Sequence, residues 1–514
     1  MEYQALAAVW EITMACNMRC KHCGSSCKTA LPGELSHEEA MDLCDQLGEL
    51  GLKWVTVSGG EPLLRDDWDT IAKRLHDNGV NPLIISNGWM LNEEIIKRAR
   101  DAGIDSFAIS LDGIRETHDF MRMPGSFDRV MKGFDLLENS GLVKSAITTV
   151  TRRNIGELPA LKQILLEKGV SLWQLQIGLP MGNFENNNDL MLDPEQVDTI
   201  IDFAYDMINE KRINVYLADC IGYYNRKETE VRKKTFGLEN VIWQGCNAGR
   251  RSLGILHNGD ILGCTSIRDR EFIEGNIRNS SLKEIWTGQN SFAWIRDMRK
   301  EMLTGFCTKC GYGDDCLGGC PNTRLTVNKS IYSENQFCTY NIAMQKSAQM
   351  IADISDSAAL LQMADKFVEQ NEFQLAELVL SKALALEENP HILNYYGFVS
   401  FMLRNYSAAR KVNEKVLDLD EANVYANKGM GLTLTRLGEL DQGLDFLRKA
   451  TKLTDADYMH PFYDLALTLF EHNRMQEAQE VLEAGKTKNP AFKNWIGELE
   501  KAIQDRLYEN HAGA

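Results

Sequence analysis

Cys16, Cys20 and Cys23 stand at a C-x3-C-x2-C spacing, three thiols within eight residues. A loop that short can wrap around one inorganic centre. Zinc normally takes four ligands, whereas a cubane iron–sulfur cluster held by three cysteines keeps one iron open for an exogenous ligand. Cys27 could supply a fourth ligand and close the site. A second group follows, with Cys246, Cys264, Cys307, Cys310, Cys316, Cys320 and Cys338 all between 246 and 338. Its C-x2-C pair closes readily on one metal. Gly259 suits a tight hairpin (His257-Asn-Gly-Asp260) that carries Cys264 on its second strand. On spacing alone, the group admits two four-coordinate zinc sites as well as iron–sulfur centres. Cys44 and Cys220 stand apart, and Cys44 falls on the apolar face of the first helix, where core packing explains it.

Positioning these loops requires a scaffold, and the hydrophobic pattern supplies one. Short β-branched runs at 8–13, 53–58, 82–86, 105–110, 144–150 and 171–177 alternate with helical stretches. Ser36 and Glu39 form a capping box for a helix ending near Gly51. Six strand–helix units in series imply parallel strands with helical crossovers. A full eight-fold barrel needs more chain, so the prediction is an α/β partial (β/α)6 TIM-type barrel over 1–205. A small α+β cluster domain is expected over 206–350 and an all-α region over 351–514. In that last region, small residues recur at Ala364, Gly397, Gly431 and Ala466, and again twelve residues later at Ala376, Ala409, Gly443 and Ala478. The spacing is that of tetratricopeptide repeats, and the stretch 491–508 has the amphipathic pattern of a solenoid cap.

Composition narrows the function. The chain has 514 residues, with 73 acidic and 56 basic side chains, a net charge of −17 and 13 cysteines. That balance argues against a nucleic-acid surface. The N-terminus has no basic region ahead of an apolar core, so no secretory signal is expected. No apolar run approaches the roughly 20 residues that cross a membrane. The expectation is a cytoplasmic protein in a reducing compartment, where cysteines point to metal rather than disulfides.

Ser58-Gly59-Gly60-Glu61-Pro62 ends the second strand. Paired glycines let backbone come close to a ligand, and the glutamate can accept hydrogen bonds from an ammonium group. Together with the cysteine triplet, this resembles the radical S-adenosylmethionine (radical SAM) superfamily over about residues 8–180. The resemblance implies that Cys16, Cys20 and Cys23 hold a 4Fe–4S cluster whose open iron binds SAM. It implies that Gly59, Gly60 and Glu61 hold the SAM amino group. Softer matches are Ser86-Asn87-Gly88 and Ser110-Leu-Asp-Gly113, and His118-Asp119-Phe-Met-Arg122 resembles a segment whose arginine contacts the SAM carboxylate. Ser86, Ser110 and Arg122 are therefore expected SAM contacts. His22 departs from the aromatic residue usual before the last cysteine, although its ring can stack similarly.

The second cysteine group resembles the SPASM auxiliary domain, which binds two 4Fe–4S clusters. By that resemblance, Cys307, Cys310, Cys316 and Cys338 hold the distal cluster, and Cys246, Cys264 and Cys320 the proximal one. Cys220 could supply the proximal cluster's fourth ligand, or the site could stay open for substrate. The implied activity is reductive SAM cleavage to a 5′-deoxyadenosyl radical, which abstracts hydrogen from a peptide or protein side chain and leaves an oxidative modification or crosslink. The implied partners are a peptide or protein substrate gripped by the repeats and a flavodoxin- or ferredoxin-type electron donor. Two rivals stand beside this: a radical SAM enzyme acting on a small molecule such as a tetrapyrrole or redox-cofactor precursor, and a non-catalytic zinc scaffold. No catalytic acid or base can be read from the sequence; Gln176, Asn183 and Asp219 lie near the strand ends and are the groups to inspect.

Overall fold

The computed structural model describes residues 3–237 and 244–512. Its chain divides into two units, Met1–Ala343 and Met344–Ala514. The first is built on one ten-stranded sheet in the order β10-β9-β8-β1-β2-β3-β4-β5-β6-β7. The strands are β1 (Ala7–Thr13), β2 (Trp54–Gly59), β3 (Asn81–Ser86), β4 (Ser106–Ser110), β5 (Val143–Val150), β6 (Leu172–Ile177), β7 (Asn214–Leu217), β8 (Ser252–Ile255), β9 (Asp260–Leu262) and β10 (Gly275–Asn276). β1 to β7 pair in parallel with their neighbours. The sheet stays open at β10 and β7, as a partial barrel does.

The six predicted strands form its centre. Two edges extend them. β7 adds a seventh parallel strand beside β6. On the other side β8 runs parallel to β1, and β9 and β10 follow in antiparallel order. The second cysteine group is thus anchored to the barrel's own sheet. The expected hairpin is present between β8 and β9, with Gly259 at φ +85°, and Cys264 lies just past its second strand.

Alternation along the strands separates two faces. Trp10, Ile12, Val55, Val57, Ile84, Phe107, Ile109, Trp173, Leu175 and Val215 are fully buried in the core shared with the helices. The opposite positions line the barrel's lumen and are mostly small or polar: Glu11, Thr56, Ser58, Ala108, Thr149, Gln174, Gln176 and Tyr216. The helix His37–Glu49 opens with the predicted capping box, Ser36 Oγ accepting from Glu39 N and the Glu39 carboxylate accepting from Ser36 N. Cys44 is core, as expected, fully buried on that helix.

The second unit is a run of helix pairs: Ser357–Glu369 with Phe373–Leu386, Pro390–Met402 with Tyr406–Leu419, Val424–Arg436 with Leu440–Leu453, and His460–Glu471 with Met475–Lys488. Gly497–Ala512 follows as the last helix. The small residues sit where paired helices touch. A Cβ on Gly431 would lie 2.8 Å from Gly443 O, and one on Gly443 would lie 2.8 Å from Gly431 O. Neighbouring repeats are also joined by repeated ion pairs, Lys415–Glu388 and Lys449–Glu421 among them. Among the described residues no helix is long and apolar enough to cross a membrane.

Candidate active site and cluster-binding loops

The cysteine triplet leaves the C-terminal end of β1 and folds back beside the end of β2. Cys16 N donates to Lys28 O (3.2 Å) and Lys28 N to Met14 O (3.2 Å), which pins the loop's two ends together. Arg19 fastens it from within, its guanidinium donating to the carbonyls of Cys16 (2.8 Å) and Lys28 (3.1 Å). Asn183 clamps the far side, donating from N to Cys23 O (2.9 Å) and from Nδ2 to Cys20 O (3.0 Å). Asn183 therefore acts on the loop backbone here, and Gln176 donates to Thr149 Oγ1 on the neighbouring strand β5 (3.0 Å). Met18 N donates to Cys16 Sγ at 3.4 Å, the kind of contact that orients a sulfur and favours its thiolate. The Cys27 thiol donates to Cys23, which is the first cause holding Cys23 below an ordinary thiol. Burial pushes Cys20 up to about 11.

The glycine pair sits against main chain at the end of β1 and the start of the cysteine loop. A Cβ on Gly60 would fall 2.1 Å from Ala15 O and 3.0 Å from Cys16 Cβ. Gly59, at φ +142°, would place a Cβ 2.3 Å from Thr13 O. Gly59 admits the last residue of β1, and Gly60 admits the cysteine loop's backbone. Gly60 N donates to Thr13 O (2.7 Å) and Glu61 N to Ala15 O (2.8 Å). Glu61 is fully buried and accepts from Ser86 Oγ (2.9 Å) and Asn87 N (2.8 Å). Burial pushes its carboxyl up to about 7, against those hydrogen bonds. Ser86 thus stands in the same network as Glu61, and Ser110 lies buried at the end of β4.

Arg122 reaches the triplet. Its Nε donates to Asp112 Oδ2 at 2.5 Å, and Nη1 lies 3.8 Å from Cys20 Sγ. His22 Nε2 is 3.2 Å from the same Asp112 oxygen. Thr149 N donates to the other oxygen at 2.8 Å. Asp112 is fully buried; burial alone would raise its pKa, but Arg122 and His22 hold it well below the carboxylate range. Asp112 is the residue that sequence reasoning passed over, although it lies inside the quoted Ser110-Leu-Asp-Gly113 run. A second lumen pair was also missed: Arg268 binds Glu11 of β1, and Ser25 donates to the same carboxylate at 3.2 Å. Its signal was an acid at a strand position between apolar residues.

The second cysteine group forms two sets in space, and Cys320 leaves its neighbours in sequence to join Cys246 and Cys264. Cys307, Cys310, Cys316 and Cys338 line one pocket, together with Tyr223 and Tyr340. Four thiols around one pocket suit a cubane cluster, which needs ligands spread around a body larger than one ion. Cys246, Cys264 and Cys320 form the other set. After burial, the largest influence raising the Cys246 thiol is Cys320, with Asp219 and Cys264 following. Cys220 belongs to the same neighbourhood, pushed up to about 12 by burial and then by Cys320. Asp219 also lies there, its carboxyl raised by burial. Backbone N–H groups of Ala248 and Ser266 donate to Cys246 and Cys264 Sγ at 3.4 and 3.5 Å.

Comparison with known proteins bears on this arrangement. The radical SAM superfamily model matches residues 10–164, and the SPASM iron–sulfur cluster-binding domain model matches residues 246–311. The AdoMet-dependent heme synthase of Methanosarcina barkeri is 31% identical over 342 residues, which covers 64% of this chain and 95% of that protein. The chain belongs to the radical SAM superfamily. This radical SAM enzyme is also similar to the mycofactocin maturase MftC of Mycolicibacterium smegmatis, 28% identical over 318 residues, covering 61% of this chain and 78% of the maturase. Among solved structures, Streptococcus suis SuiB bound to its precursor peptide SuiA shares the fold, with a TM-score of 0.53 at 18% identity over 65% of this chain and 75% of that one. The family implies iron–sulfur clusters and SAM, and the triplet and the four-cysteine cavity offer residues of the right chemistry.

Proposed function

We propose that this radical SAM enzyme oxidatively modifies or crosslinks a side chain of a peptide or protein, using three 4Fe–4S clusters. In this reading Cys16, Cys20 and Cys23 hold the SAM-binding cluster, and Gly59, Gly60, Glu61, Ser86, Ser110 and Arg122 shape the SAM site. Cys307, Cys310, Cys316 and Cys338 hold the distal auxiliary cluster, and Cys246, Cys264 and Cys320 the proximal one. The division of labour is a barrel over 1–205, a cluster domain over 206–350 and repeats over 351–514, served in the cytoplasm by a flavodoxin- or ferredoxin-type donor. SAM cleavage would supply a 5′-deoxyadenosyl radical for hydrogen abstraction. The chain's own residues position the partners: Asn183 and Arg19 hold the cysteine loop, and Asp112 fixes Arg122 against Cys20.

The observation that carries the reading is the helical-repeat unit Met344–Ala514. The share of the chain left unmatched by the heme synthase is close to that unit's size. Helical solenoids present extended surfaces suited to peptides. Two cations that reach the lumen are paired with carboxylates, Arg122 with Asp112 and Arg268 with Glu11. The test is anaerobic incubation with SAM, reductant and a peptide encoded beside the gene, followed by mass spectrometry for loss of two hydrogens. Deleting residues 355–514 is expected to weaken peptide binding and turnover while sparing substrate-free SAM cleavage. Unchanged peptide affinity in the truncation would refute the role given to the repeats. A second reading, a tetrapyrrole substrate, is favoured by the 31% identity to the heme synthase. Turnover of a carboxylated tetrapyrrole, with none of the peptide, would select it.

A further inference from the structure

Arg324 sits on the helix Pro321–Asn328, one turn beyond Cys320, and its side chain is fully buried. Nη2 donates to Leu317 O at 3.1 Å and lies 3.6 Å from Met298 Sδ. Nε and Nη1 are buried and have no hydrogen-bond partner. No carboxylate lies within ion-pair distance of the guanidinium among the described residues. Its ionisable neighbours are Cys307, Cys320, Tyr223 and Cys316. Two of those thiols belong to the distal set and one to the proximal set. The packing is specific: Gly318, at φ +78°, would bring a Cβ to 2.8 Å from both Cζ and Nη1, so only glycine leaves room.

A buried cation without a counter-ion is strongly unfavourable. Two buried N–H groups without acceptors add to that cost. Arginine cannot relieve it by deprotonation, because its guanidinium holds its proton under all ordinary conditions. A folded chain that places such a group here needs compensating negative charge close by. Cubanes ligated by cysteine thiolates carry net negative charge, and donors to their sulfurs are a known means of setting potential.

We propose that Arg324 is the resident counter-charge of the two auxiliary clusters: its buried, unpartnered Nε and Nη1 would be free to serve cluster sulfur, and its charge would hold both potentials up. This rests on the reading that the seven cysteines bind two clusters. It adds a positioning and redox-setting role for a residue outside every cysteine motif. A positive charge fixed near two anionic centres favours addition of an electron to either, so the pair is poised to take up the electron left on substrate after hydrogen abstraction.

The test uses the full-length chain, anaerobically reconstituted, as wild type, Arg324→Gln and Arg324→Lys. Iron and sulfide content and an EPR-monitored redox titration are read on each. In Arg324→Gln, the reduced-to-oxidised ratio of the auxiliary clusters at a fixed potential should fall at least tenfold, about 59 mV for one electron. The SAM-binding cluster should not move, and Arg324→Lys should stay close to wild type. Loss of auxiliary iron in Arg324→Gln with retention in Arg324→Lys would equally support a requirement for charge. Auxiliary potentials unchanged in Arg324→Gln, a lysine variant shifted as far as the glutamine one, or equal loss of iron from both would overturn the proposal. Wild-type protein without auxiliary iron would bring down the two-cluster reading, and this proposal with it.

Discussion

Replacing Gly60 by alanine is the sharpest perturbation of the cysteine loop. The added Cβ would lie 2.1 Å from Ala15 O, 2.7 Å from Ala15 C and 3.0 Å from Cys16 Cβ, where real Cβ contacts essentially never fall under 3.0 Å. The nearest obstacle is main chain, so no side-chain rotation relieves it. Either the loop or the end of β2 must move by roughly 1 Å, at a typical overpacking cost of about 1–3 kcal/mol. The two hydrogen bonds that register the loop, Gly60 N to Thr13 O and Glu61 N to Ala15 O, lie in the path of that shift. Misplacement by about 1 Å at a reacting centre costs on the order of 100-fold in rate. Gly60→Ala is therefore expected to lower substrate-free SAM cleavage about 100-fold or to lose the iron of the triplet, while leaving the iron of the second cysteine group in place. The assay is 5′-deoxyadenosine formation by chromatography beside iron analysis. Cleavage and iron content equal to wild type would refute the view that Gly60 is needed to admit the loop.

Two further outcomes follow from buried groups. His118 is fully buried and its pKa is lowered to about 4, first by burial and then by the charge of Arg122. The unfolded chain takes up this proton near pH 6.5 and the folded one only near 4, so His118 leaves stability intact above pH 6.5 and costs progressively more as pH falls, up to about 3 kcal/mol at pH 4. His118→Asn should flatten that part of a thermal-unfolding pH profile, and parallel profiles would contradict the assignment. In the repeats, a Cβ at Gly443 meets Gly431 O at 2.8 Å and Thr435 N at 3.0 Å, whereas one at Gly429 meets the side-chain amide of Asn413. Gly443→Ala should destabilise by about 1–3 kcal/mol, more than its helix-propensity gain of about 1 kcal/mol returns, and Gly429→Ala should cost less. A melting temperature for Gly443→Ala at or above that of Gly429→Ala would contradict this.

The parallel strands were legible because inner strands carry β-branched runs bounded by turn residues, and all six lie within a residue or so of their expected places. The repeats were legible for a related reason: close helix packing admits only small residues, and these recur with the unit length. β7 and β8 were not, since each is only four residues long and takes its identity from a distant neighbour. In the site, the cysteines could be read from spacing, but the partners that orient them could not. Asp112 acquires its role only when the fold brings His22 and Arg122 to one carboxylate. The glycine pair was legible as a close approach, and the main chain that approaches is Thr13 at Gly59 and Ala15 at Gly60. Arg324 reads as an ordinary helix-surface arginine until the structure buries it.

The most direct test of the account is iron and sulfide analysis of the anaerobically reconstituted chain beside a Cys16→Ala, Cys20→Ala, Cys23→Ala variant. Three cubanes predict about twelve irons per wild-type chain and about eight in the variant, with SAM cleavage present in the first and abolished in the second. Zinc in place of iron, or a variant that still cleaves SAM, would contradict it.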